Sequence, residues 1–169
     1  MKKQSLLFLS IILTSIFVSC ERDDICAAST PTTPQLILRF FNNDMRDELE
    51  VVPNLFAIGL DDNNELVTLL NLSATTSDSL VLPLRTDADQ TRFLLITDSD
   101  GTATGGNIDT LTVSYDRQDV FISRACGFSN NFNAINLTIT PDADNWVLDS
   151  AILRENVTDE ISAHAQIFH

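Results

Sequence analysis

The sequence predicts an all-β protein, an antiparallel β-sandwich of the immunoglobulin-like or a related type with about nine or ten strands. Two observations favour this fold class. Apolar residues recur at every second position rather than at helical spacing, and clusters of turn-forming residues interrupt them at intervals of about 8 to 15 residues. Strands with one apolar and one polar face suit two sheets packed face to face. We expect this domain to occupy residues 35–169.

The clearest strand is predicted at residues 134–140, where apolar and polar side chains alternate without a break. A hairpin is predicted from strands at 110–115 and 120–122, which the polar turn 116–119 separates. Further strands are predicted at 36–41, 54–60, 65–71, 79–84, 92–97, 146–154 and 160–168.

The same alternation predicts which side chains form the core. The expected core residues are Phe40, Phe56, Ile58, Leu82, Leu94, Leu111, Val113, Ile135, Leu137, Ile139 and Trp146. His164 lies at the opposite parity to Ala165 and Ile167, so it is expected to face solvent.

The first twenty residues are typical of an exported, lipid-modified protein. Lys2 and Lys3 precede an apolar stretch that is too short to span a bilayer, and the small residue Ser19 precedes Cys20. Residues 16–20 resemble the lipobox of bacterial lipoproteins. The resemblance implies that residues 1–19 are a signal peptide, and that Cys20 carries a thioether-linked diacylglyceryl group and acyl chains such as palmitate.

Residues 20–34 are predicted to form a tether, because their second half contains two prolines and no bulky apolar side chain. Residues 21–24 resemble the export tag of surface-exposed bacteroidete lipoproteins; a simple solvated tether is the alternative. The expected location is the outer membrane, facing the periplasm or the cell surface, with the membrane held through covalent lipid.

The charge balance excludes one class of partner. Both lysines precede Cys20, so residues 20–169 carry 8 arginines against 24 acidic residues, a formal charge of −16. Such a chain repels nucleic acid and anionic lipid head groups. We therefore expect no nucleic-acid partner.

Two further cysteines remain after Cys20, and an exported domain most simply pairs them. We predict a disulfide between Cys26 and Cys126, which would close a loop of about 100 residues. A reactive thiol or a metal-binding pair is the alternative. A second cysteine close behind Cys20, the Thr-Pro-Gln-Leu sequence at 33–36 and residues 124–128 together resemble a family of small bacteroidete lipoproteins classed as a domain of unknown function. That resemblance implies a location and a fold class, and no chemistry.

A weak calcium motif is present. Asp98, Asp100 and Asp109 occupy the first, third and twelfth positions of a twelve-residue window, as in a helix-loop-helix calcium loop. The residues at other ligand positions do not fit that motif, and turn formation explains the aspartates without an ion.

Other candidate sites are equally short. Ser79, Thr110 and Ser150 follow aspartates and resemble the sequon for O-glycosylation of exported bacteroidete proteins. Phe128 and Phe132 flank a polar segment and are candidate ligand-binding aromatic residues, with core packing as the alternative.

Two classes of function remain open. The first is a non-enzymatic envelope protein, a binding or structural module whose partner is a glycan or another envelope protein. It is favoured because sandwiches carry function on loops and the sequence contains no catalytic motif. The second is a small acid-based hydrolase, for example one acting on glycans, that would need two carboxylates in one pocket.

Overall fold

The computed structural model describes residues 25–30, 32–67 and 73–169. These residues form two compact units. The larger unit contains residues 32–120 and 129–169 of the described chain, and the smaller unit contains residues 25–30 and 121–128. Cys20 and the predicted signal peptide lie outside the described residues.

Ten strands and no helix are found in the described part of the chain, which confirms the all-β prediction. The strands are β1 (Leu36–Phe41), β2 (Val52–Leu60), β3 (Leu66–Val67), β4 (Thr75–Ser77), β5 (Ser79–Leu82), β6 (Gln90–Thr97), β7 (Asn107–Ser123), β8 (Gly127–Ile139), β9 (Asp149–Ile152) and β10 (Ala165–Phe168). Within the ranges that the structure covers, no helix is long and apolar enough to cross a membrane.

Two sheets form the sandwich. One has the strand order β5-β1-β10-β9, and the other has the order β3-β2-β6-β7-β8, with β4 paired to β2 off that path. Every registered pair is antiparallel except β1 with β10, which run parallel with Leu38 opposite Ala165. The parallel pair joins strands from opposite ends of the described chain, so the smaller sheet depends on long-range contacts.

The core lies between the two sheets and contains most of the predicted residues. Phe40, Leu82, Leu111, Val113 and Ile135 are buried, and Leu137, Ile139 and Trp146 are half-buried against them.

On β2 and β6 the predicted parity is wrong. Phe56, Ile58 and Leu94 are only half-buried, while Leu55, Ala57, Phe93 and Leu95 enter the core. Both faces of these two strands are apolar, so alternation alone does not identify the core face. The misassigned residues share the outer face, where Phe56 pairs with Ile96 and Ile58 pairs with Leu94.

The predicted hairpin turn at 116–119 is also wrong. Residues 116–119 are exposed but continue β7 as a strand, and the chain reverses at Arg124–Cys126 instead. Gly127 follows this turn with φ 72°, a left-handed conformation that glycine adopts without a steric cost. The polar residues are tolerated in β7 because their side chains lie in water while the backbone remains paired with β8.

Several strand ends differ from the prediction. Strand β1 has the predicted bounds, whereas β9 and β10 are shorter than predicted at 146–154 and 160–168. The strand predicted at 65–71 is described only at Leu66–Val67, and the rest of that segment includes residues outside the described ranges. Strand β4 was not predicted, because its Thr-Thr-Ser sequence has no apolar residue.

Candidate functional site

A cavity of about 250 Å³ lies in the larger unit beside the short strand β3. Strand β2 supplies Gly59 and Leu60, and β3 supplies Val67. The remaining lining residues are Asp61, Arg85 and Thr91. The cavity therefore has an apolar floor with one carboxylate and one guanidinium at its edge, which suits a small apolar group better than a charged one.

The guanidinium of Arg85 is held by two aspartates. It donates to Asp62 at 2.6 Å and to Asp87 at 3.0 Å. The hydrogen bonds that Arg85 donates to Asp87 and Asp62 raise the pKa of Arg85, and the bond that Asp87 accepts from Arg85 lowers the pKa of Asp87. This arrangement fixes the direction of the guanidinium, but it also neutralises the charge that a ligand anion would need.

The carboxylate of Asp61 accepts hydrogen bonds within its own loop. One oxygen accepts hydrogen bonds from the backbone N–H groups of Asn63 at 2.8 Å and Glu65 at 2.7 Å. The Glu65 bond is the larger cause of a lowered pKa for Asp61. Asp61 is thus an ionised turn-forming residue, and among the described residues it is the one carboxylate that lines this cavity.

A closed set of buried hydrogen bonds, called the hydrogen-bond ring, joins Arg85, Thr91 and Tyr115 beside the cavity. The Arg85 N–H donates to Thr91 Oγ1 at 2.8 Å, and Thr91 Oγ1 lies 2.6 Å from Tyr115 Oη. The Tyr115 hydroxyl donates to the Arg85 carbonyl at 2.9 Å, so Thr91 is the donor to Tyr115. Burial raises the pKa of Tyr115. The ring holds the backbone of Arg85, and with it the edge of the cavity, in one position.

Two of the three aspartates of the weak calcium motif, Asp100 and Asp109, use their carboxylates in separate local hydrogen bonds. Asp98 is exposed with φ 53°, and Asp100 accepts from the N–H and hydroxyl of Thr102 at 2.9 and 2.6 Å. Over the described ranges, no group of three or more His, Cys, Asp or Glu side chains is arranged to hold a metal ion.

Asp109 is fully buried and has a structural role. It accepts from the backbone N–H of Val147 at 2.7 Å and from the Asn145 side chain at 3.0 Å. Burial raises the pKa of Asp109, against these hydrogen bonds. The contacts fasten the segment before β9 to strand β7.

The predicted cysteine pair is present in the smaller unit. The Sγ atoms of Cys26 and Cys126 lie 2.02 Å apart, at disulfide distance, with their Cα atoms 4.7 Å apart. Cys126 lies in the turn between β7 and β8. The disulfide therefore joins the start of the described chain to the tip of a hairpin about 100 residues later.

The two candidate aromatic residues do not come together. Phe128 is 69% exposed, and its ring stacks edge-on against Phe121 with the centroids 5.3 Å apart. Phe132 is fully buried in the larger unit, where its ring meets Tyr115 at 4.9 Å. The sequence does not identify Phe121 as an exposed aromatic residue. The strand predicted at 120–122 is too short for alternation to show which face is buried.

The three sequon hydroxyl residues are half-buried on strands. Ser79 Oγ donates to the carbonyl of Leu38 at 3.3 Å, and Thr110 and Ser150 lie on β7 and β9.

His164 is fully buried, which corrects the prediction that it faces solvent. It precedes β10, so strand alternation does not extend to it. Its Nδ1 accepts from the backbone N–H of Ile37 at 3.0 Å, and the backbone N–H of His164 donates to the Ile37 carbonyl at 2.8 Å. The proton of the neutral ring is therefore on Nε2, which has no hydrogen-bond partner among the described residues. Burial lowers the pKa of His164 and favours the neutral ring.

Sequence analysis also missed the cavity at Arg85. Its lining residues come from three segments that no short motif connects. The one local signal is the aspartate-rich turn 61–64, which indicates a turn and no partner.

Comparison with known proteins gives a family and no activity. A family of unknown function, DUF6452, matches residues 55–169, and the chain belongs to this family. No curated protein and no solved structure matches the chain. The family match includes the cavity and Cys126, while Cys20, Cys26 and β1 precede it.

Proposed function

We propose that this chain, a member of the DUF6452 family, is a lipid-anchored, non-enzymatic protein of the bacteroidete outer membrane. Its β-sandwich serves as a binding or structural module that faces the periplasm or the cell surface. Its partner is a glycan or another envelope protein, and the proposal includes no cofactor.

The observation that carries the proposal is the pairing of Cys26 with Cys126. Disulfides persist in exported proteins, whereas cytosolic thiols are kept reduced. A chain that uses two of its three cysteines in this way supports an exported protein.

The remaining cysteine supports a lipid anchor. Cys20 follows a short apolar stretch and the small residue Ser19, as in a lipoprotein signal. Diacylglyceryl modification together with a further acyl chain gives stable anchoring, where one chain is marginal.

The contacts around the cavity favour binding over catalysis. Asp61 accepts two backbone hydrogen bonds, and Arg85 is paired with Asp62 and Asp87. A hydrolytic acid pair needs two carboxylates facing one pocket, and the part of the chain that the structure describes lines this cavity with one. The apolar floor can accept part of a partner without chemistry.

The anchor is tested by labelling cells with radioactive palmitate. The unaltered protein should carry label and sediment with membranes, and Cys20→Ala should lose both properties. The matched control is the double variant Cys26→Ser with Cys126→Ser, which removes the other cysteines and should retain the label. Label and membrane partition that persist in Cys20→Ala would contradict the proposal.

A further inference from the structure

The smaller unit exposes an apolar end. Phe121 and Phe128 are 58% and 69% exposed. They lie on either side of the turn between β7 and β8, and their rings contact each other. Ile25, next to the disulfide, is 75% exposed. Paired exposed aromatic side chains mark a surface that meets something apolar. We call these three residues the apolar tip.

The charge of residues 25–30 and 121–128 differs from that of the whole chain, and Glu21, Asp23 and Asp24 precede these residues in the sequence. The two segments contain one arginine, Arg124, which is exposed, and no acidic residue. The whole chain has 24 acidic residues. An anionic lipid surface, which the chain as a whole would repel, is therefore not repelled by charges within these segments.

Covalent geometry limits how far the apolar tip can lie from the lipidated residue. Cys20 and Cys26 are six residues apart, so their Cα atoms are separated by at most about 22 Å, whatever conformation the intervening residues adopt. The disulfide adds 4.7 Å between the Cα atoms of Cys26 and Cys126. The hairpin turn is thus held close to the membrane surface that anchors Cys20.

We propose that the apolar tip inserts into the interface of the lipid bilayer in which Cys20 is anchored. Ile25, Phe121 and Phe128 then enter the boundary between head groups and acyl chains, as apolar side chains of peripheral membrane segments do, while Arg124 meets lipid phosphates. The contact gives the protein a second attachment point and fixes the direction of the hairpin against the membrane. This inference rests on the lipid anchor of the proposed function.

The test places a tryptophan in the apolar tip. Full-length lipidated protein carrying Phe128→Trp is purified and reconstituted into phosphatidylethanolamine and phosphatidylglycerol vesicles, with or without brominated acyl chains. Brominated chains should reduce the emission of the added tryptophan about twofold. Phe121→Trp should behave in the same way, which guards against a local defect at one position. The unaltered protein gives the contribution of Trp146, the single natural tryptophan.

The matched control is Leu148→Trp, at an apolar position of the larger unit that is 60% exposed. It follows Val147, which is bonded to Asp109 near the start of β7, whereas the hairpin turn follows the end of β7. The emission of the control should not respond to brominated lipid. If the apolar-tip variants float with the vesicles but are quenched no more than Leu148→Trp, the inference is wrong and the anchor stands. A blue shift without quenching indicates contact with protein, such as a second copy, and also overturns it. Protein that neither floats nor carries lipid would overturn the proposed function as well.

Discussion

Removal of the Tyr115 hydroxyl should measurably destabilise the larger unit. Tyr115 and Thr91 are 4% and 2% exposed, so water cannot replace the lost contacts. Tyr115→Phe keeps the aromatic ring packed against Phe132. The change leaves the Arg85 carbonyl without its hydrogen-bond donor and the Thr91 hydroxyl without its acceptor. An unsatisfied buried polar group costs about 1–3 kcal/mol, so the free energy of unfolding should fall by at least about 1 kcal/mol.

Urea unfolding followed by Trp146 fluorescence measures this loss, because Trp146 packs against the core. A double-mutant cycle with Thr91→Val should give a coupling energy of about 0.5–3 kcal/mol, because both side chains belong to one ring. The control Thr112→Val, on the opposite face of β7, should change stability by less than about 0.5 kcal/mol. A Tyr115→Phe protein as stable as the control, or an additive cycle, would refute the assigned ring.

Two further predictions concern titration and catalysis. Burial lowers the pKa of His164 below its ordinary value of 6.5. The unfolded state therefore takes up a proton first as the pH falls. The free energy of unfolding should decline below about pH 6.5 by up to about 1.4 kcal/mol per pH unit. His164→Asn retains an acceptor for Ile37 and should remove this part of the decline in urea titrations at pH 7.5 and 5; equal declines in both proteins would contradict the assignment. The purified chain should release no reducing ends from isolated envelope polysaccharide. Release that Asp61→Asn abolishes would establish the acid-based hydrolase instead, since asparagine can still accept the two backbone bonds.

The fold class and most of the core follow from the sequence where one face of a strand is clearly apolar. Strand β7 up to Tyr115 is such a case, since buried Leu111, Val113 and Tyr115 alternate with threonine and serine. On β2, by contrast, both faces are apolar: Leu55 and Ala57 lie on one face, and the larger Phe56 and Ile58 lie on the other. Alternation alone assigns neither pair to the core. Size and hydrophobicity favoured the wrong set, and only the position of the second sheet decides between them.

Turns and sites were harder to predict for a different reason. Residues 116–119 have a turn-like composition, but pairing with β8 keeps them in a strand. The local sequence of residues 116–119 does not reveal that pairing. The disulfide could be predicted because the expectation that Cys20 carries lipid leaves one possible pair among the three cysteines. The Arg85 cavity could not, because its residues meet only after β2, β3 and β6 have assembled.

The parallel pairing of β1 with β10 has a consequence for the order in which the protein matures. Strand β1 cannot complete its sheet until residues 165–168 are available, 127 positions after their partners in the register. During synthesis the early segment therefore remains without this neighbour, and long-range pairing of this kind also slows folding. The sandwich core therefore closes only after the last strand of the described chain has been synthesised.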